Sequence, residues 1–247
     1  MPSAARRLVP LAVALVVLAV AGLAAAASTD PQIKIDPQDQ AWADSIVLRP
    51  GDLGKGWTAD PTDSSDDSGG DQSSDDSDWC PEGIASESDL TITGGSASPD
   101  FTRKDSTSVS SFAYVWQTPE QAQADWDRTL ALMPAQINCL ADLFDTAPTH
   151  AVKATVTAKG AFPFPAVVPR VAAYRIRIVF TSTARVKKRK TPPFVVKFDL
   201  VLLGNGRSSV WLVVDSFGGK VAPAFERSLA AKMAARMTHD PATTTAP

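Results

Sequence analysis

The most concentrated group of side chains that could do chemistry is an acidic stretch at residues 60–80. It reads DPTDSSDDSGGDQSSDDSDWC and holds eight Asp and no basic residue. Carboxylate oxygens are the ligands that Ca²⁺ prefers. The stretch nevertheless lacks the DxDxDG order and the closing Glu of a calcium loop, and its like charges repel one another. We therefore predict a disordered acidic spacer at 60–78, inserted in the domain, and neither a metal site nor a cofactor.

A second group of polar side chains falls on predicted strands of the C-terminal half. It comprises Arg175, Arg177, Lys197, Asp199 and Trp211. Strand alternation predicts that these five side chains share the sheet face opposite the main core. They form either a solvated face with cross-strand ion pairs or the floor of a cleft that binds an anionic ligand. We name them as candidate ligand-binding residues.

A third group is a basic loop with five cations in six residues: Arg185, Lys187, Lys188, Arg189 and Lys190. Their position predicts a hairpin tip that projects into solvent. The tip either protects a sheet edge or contacts an anionic surface such as lipid headgroups or an envelope polymer. The residues from 150 onward carry a net charge of +12 and residues 28–102 carry −14, so the two parts attract each other or face different partners.

Recognisable catalytic motifs are missing from the sequence. It contains no HExxH, GxSxG, Walker loop or GxGxxG, and its two histidines, His150 and His239, are far apart. We assign no catalytic residue. An envelope hydrolase that assembles a Ser or Asp with His150 in space stays open as an alternative. Nucleic acid is not expected as a partner of an exported acidic protein.

The N-terminus has the features of an export signal at residues 1–27. Arg6 and Arg7 precede an apolar run from Leu8 to Leu23, and three alanines precede Ser28. The alternative is an uncleaved membrane anchor. Either way the chain is predicted to be extracytoplasmic, secreted or tethered to the outer face of the cytoplasmic membrane.

Two cysteines, Cys80 and Cys139, are the whole cysteine content of the chain. Because an exported protein meets an oxidising environment, we predict that they form a disulfide. Closing a loop of that length is worth about 4 kcal/mol in the chain-entropy description. Two buried thiols or a redox pair are the alternatives, although CxxC spacing is missing.

The elements that must position these residues indicate an α+β fold with an antiparallel sheet and amphipathic helices. Thr118, Pro119 and Gln121 predict a capped helix start, and Pro134 predicts that this helix ends and a second one follows. Asn205-Gly206 predicts a tight hairpin turn. WDRTLA at 126–131 and FERSLA at 225–230 resemble each other, each after a strand that opens with Ser-Ser, so we raise a pseudo-duplicated strand-helix unit as a possibility.

The predicted organisation divides the chain at changes of composition. The segments are a signal peptide or anchor (1–27), an N-terminal helix and loop with Trp57 as anchor (28–59), the acidic spacer (60–78), the main α+β domain (79–238) and a flexible tail (239–247).

The chain resembles actinobacterial exported sensor-like domains, in particular the extracellular domains of mycobacterial serine/threonine kinases. The residues that carry the resemblance are the Trp57-Thr58 loop, Trp79-Cys80, the SASPDF segment, and a strand before an Ala-rich helix with a second Cys after it. The resemblance implies an α+β fold with a ligand cleft and two disulfides, whereas this chain has cysteines for one.

The sequence therefore predicts an exported, sensor-like ligand-binding module of the cell envelope without catalytic activity. Its ligand is expected to be a small or amphipathic molecule, or an anionic polymer or lipid. A structural or adhesion protein of the envelope is a further alternative. The oligomeric state is not predicted.

Overall fold

A computed structural model describes residues 30–60, 86–146, 152–182, 185–186, 189–190, 193–218 and 221–244. The predicted signal segment, residues 61–85 with most of the acidic stretch and Cys80, and His150 lie outside the described residues, so the predictions on them stay predictions. Within the described ranges, no helix has the length and apolar character needed to span a membrane.

The described chain contains eleven strands and five helices. The strands are β1 (Gln32–Ile33), β2 (Trp57–Ala59), β3 (Thr91–Ala97), β4 (Phe101–Arg103), β5 (Thr107–Trp116), β6 (Val152–Ala161), β7 (Arg170–Ser182), β8 (Arg185–Val186), β9 (Arg189–Lys190), β10 (Phe194–Asn205) and β11 (Ser208–Phe217). The helices are α1 (Pro37–Ile46), α2 (Pro50–Leu53), α3 (Pro119–Thr146), α4 (Pro223–Arg236) and α5 (Pro241–Thr244).

Nine of the strands form one mostly antiparallel sheet, and helices pack on it, which confirms the α+β class. The strand order is β1-β3-β5-β11-β10-β7-β6, with β4 paired to β5 and β2 to β4. The pair β1–β3 is parallel. The remaining strands, β8 and β9, form a short antiparallel ladder between β7 and β10. Asn205 pairs with Ser208, so the tight turn consists of Gly206 and Arg207, and Gly206 adopts a φ of 52°.

Helices cover both faces of this sheet. The α1/α4 face buries alternate residues of the central strands against α1 and α4, and these residues include Ala113, Ala173, Val201, Leu203, Val210 and Leu212. The α3 face buries the other set against α3, including Tyr174, Ile176, Ile178, Leu200 and Leu202. Strand β7 thus has an apolar face with Tyr174, Ile176 and Ile178 and an opposite face with Arg175 and Arg177.

The start of α3 is capped largely as predicted. The Gln121 backbone N–H donates to the Thr118 hydroxyl at 3.3 Å. The Gln121 amide oxygen does not complete a capping box; it accepts the Thr91 N–H of β3 at 3.1 Å and so ties the helix start to the sheet.

The predicted helix break at Pro134 is wrong. Pro134 lies inside α3, which continues from Pro119 to Thr146. A proline inside a helix removes one donor and presses on the carbonyl four residues earlier. Buried residues on both sides of it, Met133 and Ile137, pack on the same sheet face and hold the two halves in one helix.

Side-chain and close backbone contacts fix the N-terminal segments on the α1/α4 face. Asp36 caps α1 by accepting from the N–H groups of Gln38 and Asp39. A Cβ on Gly94 would lie 2.4 Å from the Asp39 carbonyl oxygen, so only glycine lets α1 approach β3 this closely. The predicted anchoring by Trp57 is confirmed, because its ring stacks on Phe225 of α4 with centroids 5.2 Å apart.

The repeated strand-helix order occurs in β5–α3 and β11–α4. The two strands are antiparallel neighbours, but their helices lie on opposite faces of the sheet. A two-fold rotation that exchanged these strands would leave both helices on one face, so the halves are not related by such an axis. The segment 239–247, predicted as a flexible tail, contains the helical turn Pro241–Thr244, and Asp240 pairs with Arg207 at 2.8 Å.

Candidate functional site

Four of the five sequence-predicted ligand-binding residues lie on one face of β7 and β10. Arg175 pairs directly with Asp199, and Arg177 pairs with Lys197. They lie on the α1/α4 face, which is itself packed with helices. Trp211 pairs with Leu202 and therefore lies on the α3 face. The prediction that all five share the face opposite the main core is wrong, because that core extends over both faces of the sheet.

Three of these residues join Glu226 of α4 in what we call the Asp199 cluster (Arg175, Lys197, Asp199 and Glu226). The Arg175 guanidinium donates to both Asp199 oxygens at 2.6 and 2.7 Å. The Lys197 ammonium lies 2.5 Å from Asp199 Oδ2 and 2.9 Å from Glu226 Oε1. Asp199 and Glu226 are almost fully buried. The cluster therefore ties α4 to the sheet through ion pairs in which each cation meets a carboxylate of the chain.

The two carboxyls of the Asp199 cluster have opposite pKa shifts. Burial tends to raise the pKa of Asp199, but hydrogen bonds with Arg175, Glu226 and Lys197 hold it below its ordinary value. Burial, followed by the hydrogen bond and charge of Asp199, raises the pKa of Glu226 to about 7, while Lys197 opposes the shift. Glu226, and not Asp199, is therefore the carboxyl of the cluster that retains a proton more readily than usual.

One aromatic ring lies against Arg175 of the Asp199 cluster, and two more lie at the start of α4. The Arg175 guanidinium lies 4.2 Å from the centroid of Phe162, and the stacked pair of Trp57 and Phe225 lies at the start of α4. Arg177 lies outside the cluster and donates to Thr157 at 2.8 Å. Since Arg175 and Lys197 already pair with carboxylates of the chain, these strand residues form ion pairs, as one of the two interpretations of the sequence predicted. A role of these residues in ligand binding stays a prediction.

The other predicted residues are only partly within the described chain. Arg185, Arg189 and Lys190 lie on the β8–β9 ladder, as a hairpin tip requires, whereas Lys187 and Lys188 lie outside the described residues. Contact of this basic loop with an anionic surface stays a prediction. Cys139 lies on α3, but its predicted partner Cys80 is outside the described residues, and the disulfide stays a prediction.

A second group of buried polar side chains lies at the start of α3 and was missed by the sequence reasoning. We call it the Asp125 site: the acceptors Glu87, Tyr114 and Asp125 with the cations Arg128 and Arg170. Asp125 is only 8% exposed, and no group in the described part of the chain donates a hydrogen bond to its carboxyl. Its oxygens are not fully enclosed, because the buried side-chain atom without a partner among the described residues is Asp215 Oδ1 and not an oxygen of Asp125.

Three elements bring the Asp125 site together on the α3 face. Tyr114 lies on β5 and belongs with Ala122 and Ala124 of α3 to a small apolar cluster around Leu90 and Trp116. Asp125 is on the buried side of the same helix. Glu87, half-buried, comes from residues 86–90, which lead into β3. Arg128 fixes those residues to α3 by donating to both oxygens of Asp89 at 2.7 Å.

The two cations of the Asp125 site have partners other than its carboxyls. Arg128 also donates to the Ser86 carbonyl at 2.9 Å. Arg170 donates to Gln123 Oε1 at 3.2 Å and to the Gly206 carbonyl at 2.9 Å, with its guanidinium 5.7 Å from the ring centroid of Trp126. A Cβ on Gly204 would lie 2.7 Å from Arg170 Nε, so Gly204 makes room for this arginine.

The pKa values at the Asp125 site are raised mainly because its groups are buried and no cation contacts them. Burial, reinforced by the charge of Glu87, raises the pKa of Asp125 to about 7, although Arg170 and Arg128 oppose the shift. Burial also raises the pKa of Glu87, and burial together with both carboxyls raises the pKa of Tyr114. Strong shifts from burial plus a specific charged neighbour are typical of functional sites.

The sequence carries a signal for this site that was overlooked. The apolar residues Ala122, Trp126, Leu130 and Met133 recur at helical spacing and define the buried stripe of α3, and Asp125 lies inside that stripe, three residues after Ala122. An acid in an apolar stripe is either paired or functional. Within the described residues no group of three or more His, Cys, Asp or Glu is placed to hold a metal ion.

Comparison with known proteins gives little beyond this geometry. The extracellular domain of PknH from Mycobacterium tuberculosis aligns with 60% of this chain, at 10% sequence identity and a TM-score of 0.30. The alignment spans 65% of that domain, and at this TM-score the likeness supports no argument about function. No protein-family model matches the chain. No curated protein matches it either.

Proposed function

We propose that this protein is an exported, sensor-like binding module of the cell envelope, and that its ligand binds at the Asp125 site. The observation that carries the proposal is the buried Asp125 carboxyl, which has no hydrogen-bond donor within the described chain. A ligand that donates to this carboxyl removes the cost of burying it uncompensated. The 8% of Asp125 that stays exposed gives a small ligand group access.

The contrast with the Asp199 cluster supports this choice of site. Asp199 accepts two bonds from Arg175 and contacts Lys197, so it has no need of a ligand. At the Asp125 site, Glu87 and Tyr114 likewise receive no hydrogen bond from the described chain. The three groups therefore have hydrogen-bonding capacity that the described chain does not use, and this supports the Asp125 site as the place of binding.

Export to the envelope is supported by the charged and apolar pattern of residues 1–27, which predicts a signal segment. A binding role is supported by the chemistry of the site. It offers carboxyls and a phenol, which bind and exchange protons, and it lacks a neighbouring serine–histidine pair among the described residues. His239, the histidine within the described ranges, is exposed after the end of α4. The hydrolase alternative depends on His150.

Thermal unfolding of the exported protein with soluble fragments of cell envelope tests the proposal. We expect fractions that contain the ligand to raise the melting temperature of the wild type. Asp125→Asn should lose this response, because an amide cannot replace an ionised acceptor. Asp127→Asn is the matched control, since Asp127 carries the same charge on the exposed side of the same helix turn.

The proposal is overturned if Asp125→Asn responds to the same fractions as strongly as the wild type. A response that depends on Lys197 or Arg175 and not on Asp125 would move the binding site to the Asp199 cluster. Turnover of an envelope fragment that disappears in His150→Ala would favour the hydrolase.

A further inference from the structure

The part of the α3 face that α3 leaves uncovered exposes aromatic side chains. Three of the five large apolar side chains exposed in the described ranges belong to this one face: Phe112 (37%), Phe194 (44%) and Phe217 (50%). Their directly opposite strand partners pack into the α3-side core, namely Trp211, Phe180 and Val196. Exposed apolar surface gathered in one place commonly marks a binding site.

Asp215 lies in the middle of this surface. It follows Val213 by two positions on β11, and it pairs with Phe198 of β10 and Ser108 of β5. Because successive side chains of a strand alternate, Asp215 lies on the same face as Val213, which packs into the α3-side core. We call this surface the Asp215 patch; it consists of Phe112, Phe194, Phe198, Val213, Asp215 and Phe217.

The chain satisfies the Asp215 carboxyl incompletely. Its Oδ1 is enclosed and has no hydrogen-bond partner in the described part of the chain. Its Oδ2 accepts a long bond, of 3.4 Å, from the Ser108 hydroxyl. A buried acceptor without a donor is costly, so each such group in a native protein needs an explanation.

The charge of this carboxyl is uncompensated as well. No Lys or Arg among the described residues pairs with Asp215, and the charges that act on it are those of Asp100 and Asp199, which are both acidic. Burial, with a smaller effect of these two acids and against the Ser108 bond, raises the pKa of Asp215 to about 6. The carboxyl is therefore ionised at pH 7.5. Since the faces of aromatic rings attract cations, the surrounding rings favour the same kind of ligand group as the carboxylate does.

The size of the patch favours a small ligand over a protein partner. An aromatic side chain offers about 150–250 Å² in full, so the three exposed rings together offer on the order of 250 Å². A stable protein interface buries about 800 Å² on each partner. The patch is also elongated, because Phe112 is opposite Trp211 and Phe217 lies about 20 Å farther along β11.

We propose that the Asp215 patch binds a small amphipathic amine, that is, an ammonium group carried on an apolar chain or ring. The ammonium donates to the carboxyl from its exposed side, and the apolar body lies along Phe198 and Phe217. A neutral alcohol or sugar would leave the carboxylate charge uncompensated, and an acid would be repelled. A metal ion would lack ligands, because no described group of three or more His, Cys, Asp or Glu is placed to hold one.

The Asp215 patch is separate from the Asp125 site. Tyr114 of that site and Ser108 beside Asp215 lie about 20 Å apart along β5. The inference therefore goes beyond the proposed function and does not depend on it, so that either can fail alone.

Isothermal titration calorimetry of the exported protein at pH 7.5 tests the proposal with three probes of equal chain length. n-Octylamine carries the ammonium, n-octanol is the neutral donor, and octanoate carries the opposite charge. We expect octylamine to bind at least about tenfold more tightly than octanol, because a hydrogen bond to a charged group contributes more than a neutral one. Octanoate should not bind.

Variants make the result specific to the patch. Asp215→Asn should weaken octylamine binding by at least about tenfold, since the amide keeps the shape and loses the charge. Phe217→Ala should weaken it by a smaller factor, because this exposed ring supplies only part of the apolar contact. Two matched controls should bind as the wild type does: Asp127→Asn, an exposed acid on α3, and Ile33→Ala, an exposed apolar side chain on β1. If Asp215→Asn does not fold, Phe217→Ala and the comparison of octylamine with octanol carry the test.

Three calorimetric results overturn the proposal: octanol binding as tightly as octylamine, Asp215→Asn binding octylamine as the wild type does, and no binding of octylamine at millimolar concentration. Sedimentation equilibrium tests a second copy of the chain as the occupant. A dimer that Phe217→Ala dissociates would show that the patch joins two copies, and the amine assignment would then be wrong. Octylamine binding that Asp125→Asn abolishes and Asp215→Asn does not would place the amine at the Asp125 site instead.

Discussion

The Asp199 cluster and the Asp125 site bury carboxyls on opposite faces of the same sheet, and they solve the problem of a buried charge in different ways. Asp199 has no exposed surface and meets Arg175 and Lys197 at 2.5–2.7 Å. Asp125 is almost as deeply buried, but no described group donates to it. Consequently the pKa of Asp199 is lowered, whereas burial raises that of Asp125 to about 7.

Asp199 therefore stabilises the fold through its ion pairs, whereas Asp125 is buried at a cost to stability. Removing a partner from a buried ion pair leaves an uncompensated charge and is strongly destabilising. Removing an uncompensated buried charge relieves a cost instead. Functional sites commonly carry such a cost, so that substitutions there raise stability while they lower activity. The two regions therefore predict opposite responses to the same substitution.

The largest expected effect is the loss of stability in Asp199→Asn. An amide cannot balance Arg175 and Lys197, which stay packed beneath α4 with side chains only 28% and 19% exposed. We expect the free energy of unfolding in urea to fall by about 3 kcal/mol, at the low end for a broken buried pair because both cations reach solvent. Asp127→Asn, on an exposed position, should change it by less than about 0.5 kcal/mol.

Asp125→Asn should move stability in the other direction. At pH 8 the wild-type carboxyl is ionised without a donor, so the neutral amide is expected to raise the free energy of unfolding by about 2 kcal/mol. A loss of stability as large as that of Asp199→Asn would show that Asp125 has a structural partner, and the comparison would fail.

The pH dependence of stability gives an independent measure of the same contrast. Burial raises the pKa of Asp125 and of Glu226 to about 7, and that of Asp215 to about 6. For a carboxyl whose folded pKa is raised, the folded state binds the proton more tightly. Stability therefore falls as pH rises from about 4, the ordinary value in the unfolded chain, to about 7, and is level above it.

Below this window the paired carboxyls act with the opposite sign. Burial tends to raise the pKa values of Asp39 and Asp52, but hydrogen bonds from Arg207 to Asp39 and from Arg236 to Asp52 lower them below their ordinary value. Stability from these pairs is lost as pH falls through the lowered pKa values. We expect melting temperatures to peak near pH 5, and Asp125→Asn to flatten the decline from pH 5 to pH 8. An identical decline in the variant would contradict the raised pKa of Asp125.

The sequence predicted the architecture better than the site, for a physical reason. Strand alternation and helical spacing report which side of an element is buried, so the α+β class and the capped helix start at Thr118 were predicted correctly. Whether the polar face of a strand meets solvent or a helix depends on distant segments. The polar face of β7 meets Glu226, which follows Arg175 by 51 positions in the chain, and this contact leaves no local pattern.

Trp211 and Asp125 are two further cases in which the sequence alone does not determine the surroundings of a side chain. Trp211 was predicted to share a face with Arg175, but only the register between β10 and β11 decides the face on which it lies. Asp125 did stand out locally, as an acid in an apolar stripe. What the sequence could not show is that Glu87 and Tyr114 lie beside it and that no donor does, because absence of a partner is a property of the folded chain.

The smallest expected effect is a change in the pKa of Asp125 when a neighbouring charge is removed. It tests whether Glu87 and Asp125 interact. Glu87 raises the pKa of Asp125 and Arg170 lowers it. Glu87→Gln should therefore lower the pKa of Asp125, and Arg170→Gln should raise it, when the carboxyl is titrated by carbon-13 NMR. Lys159→Gln removes a cation that pairs with Asp142, farther along α3, and is the matched control for Arg170→Gln. If Glu87→Gln leaves the titration of Asp125 unchanged, the two carboxyls do not share one environment, and Glu87 does not belong to the Asp125 site.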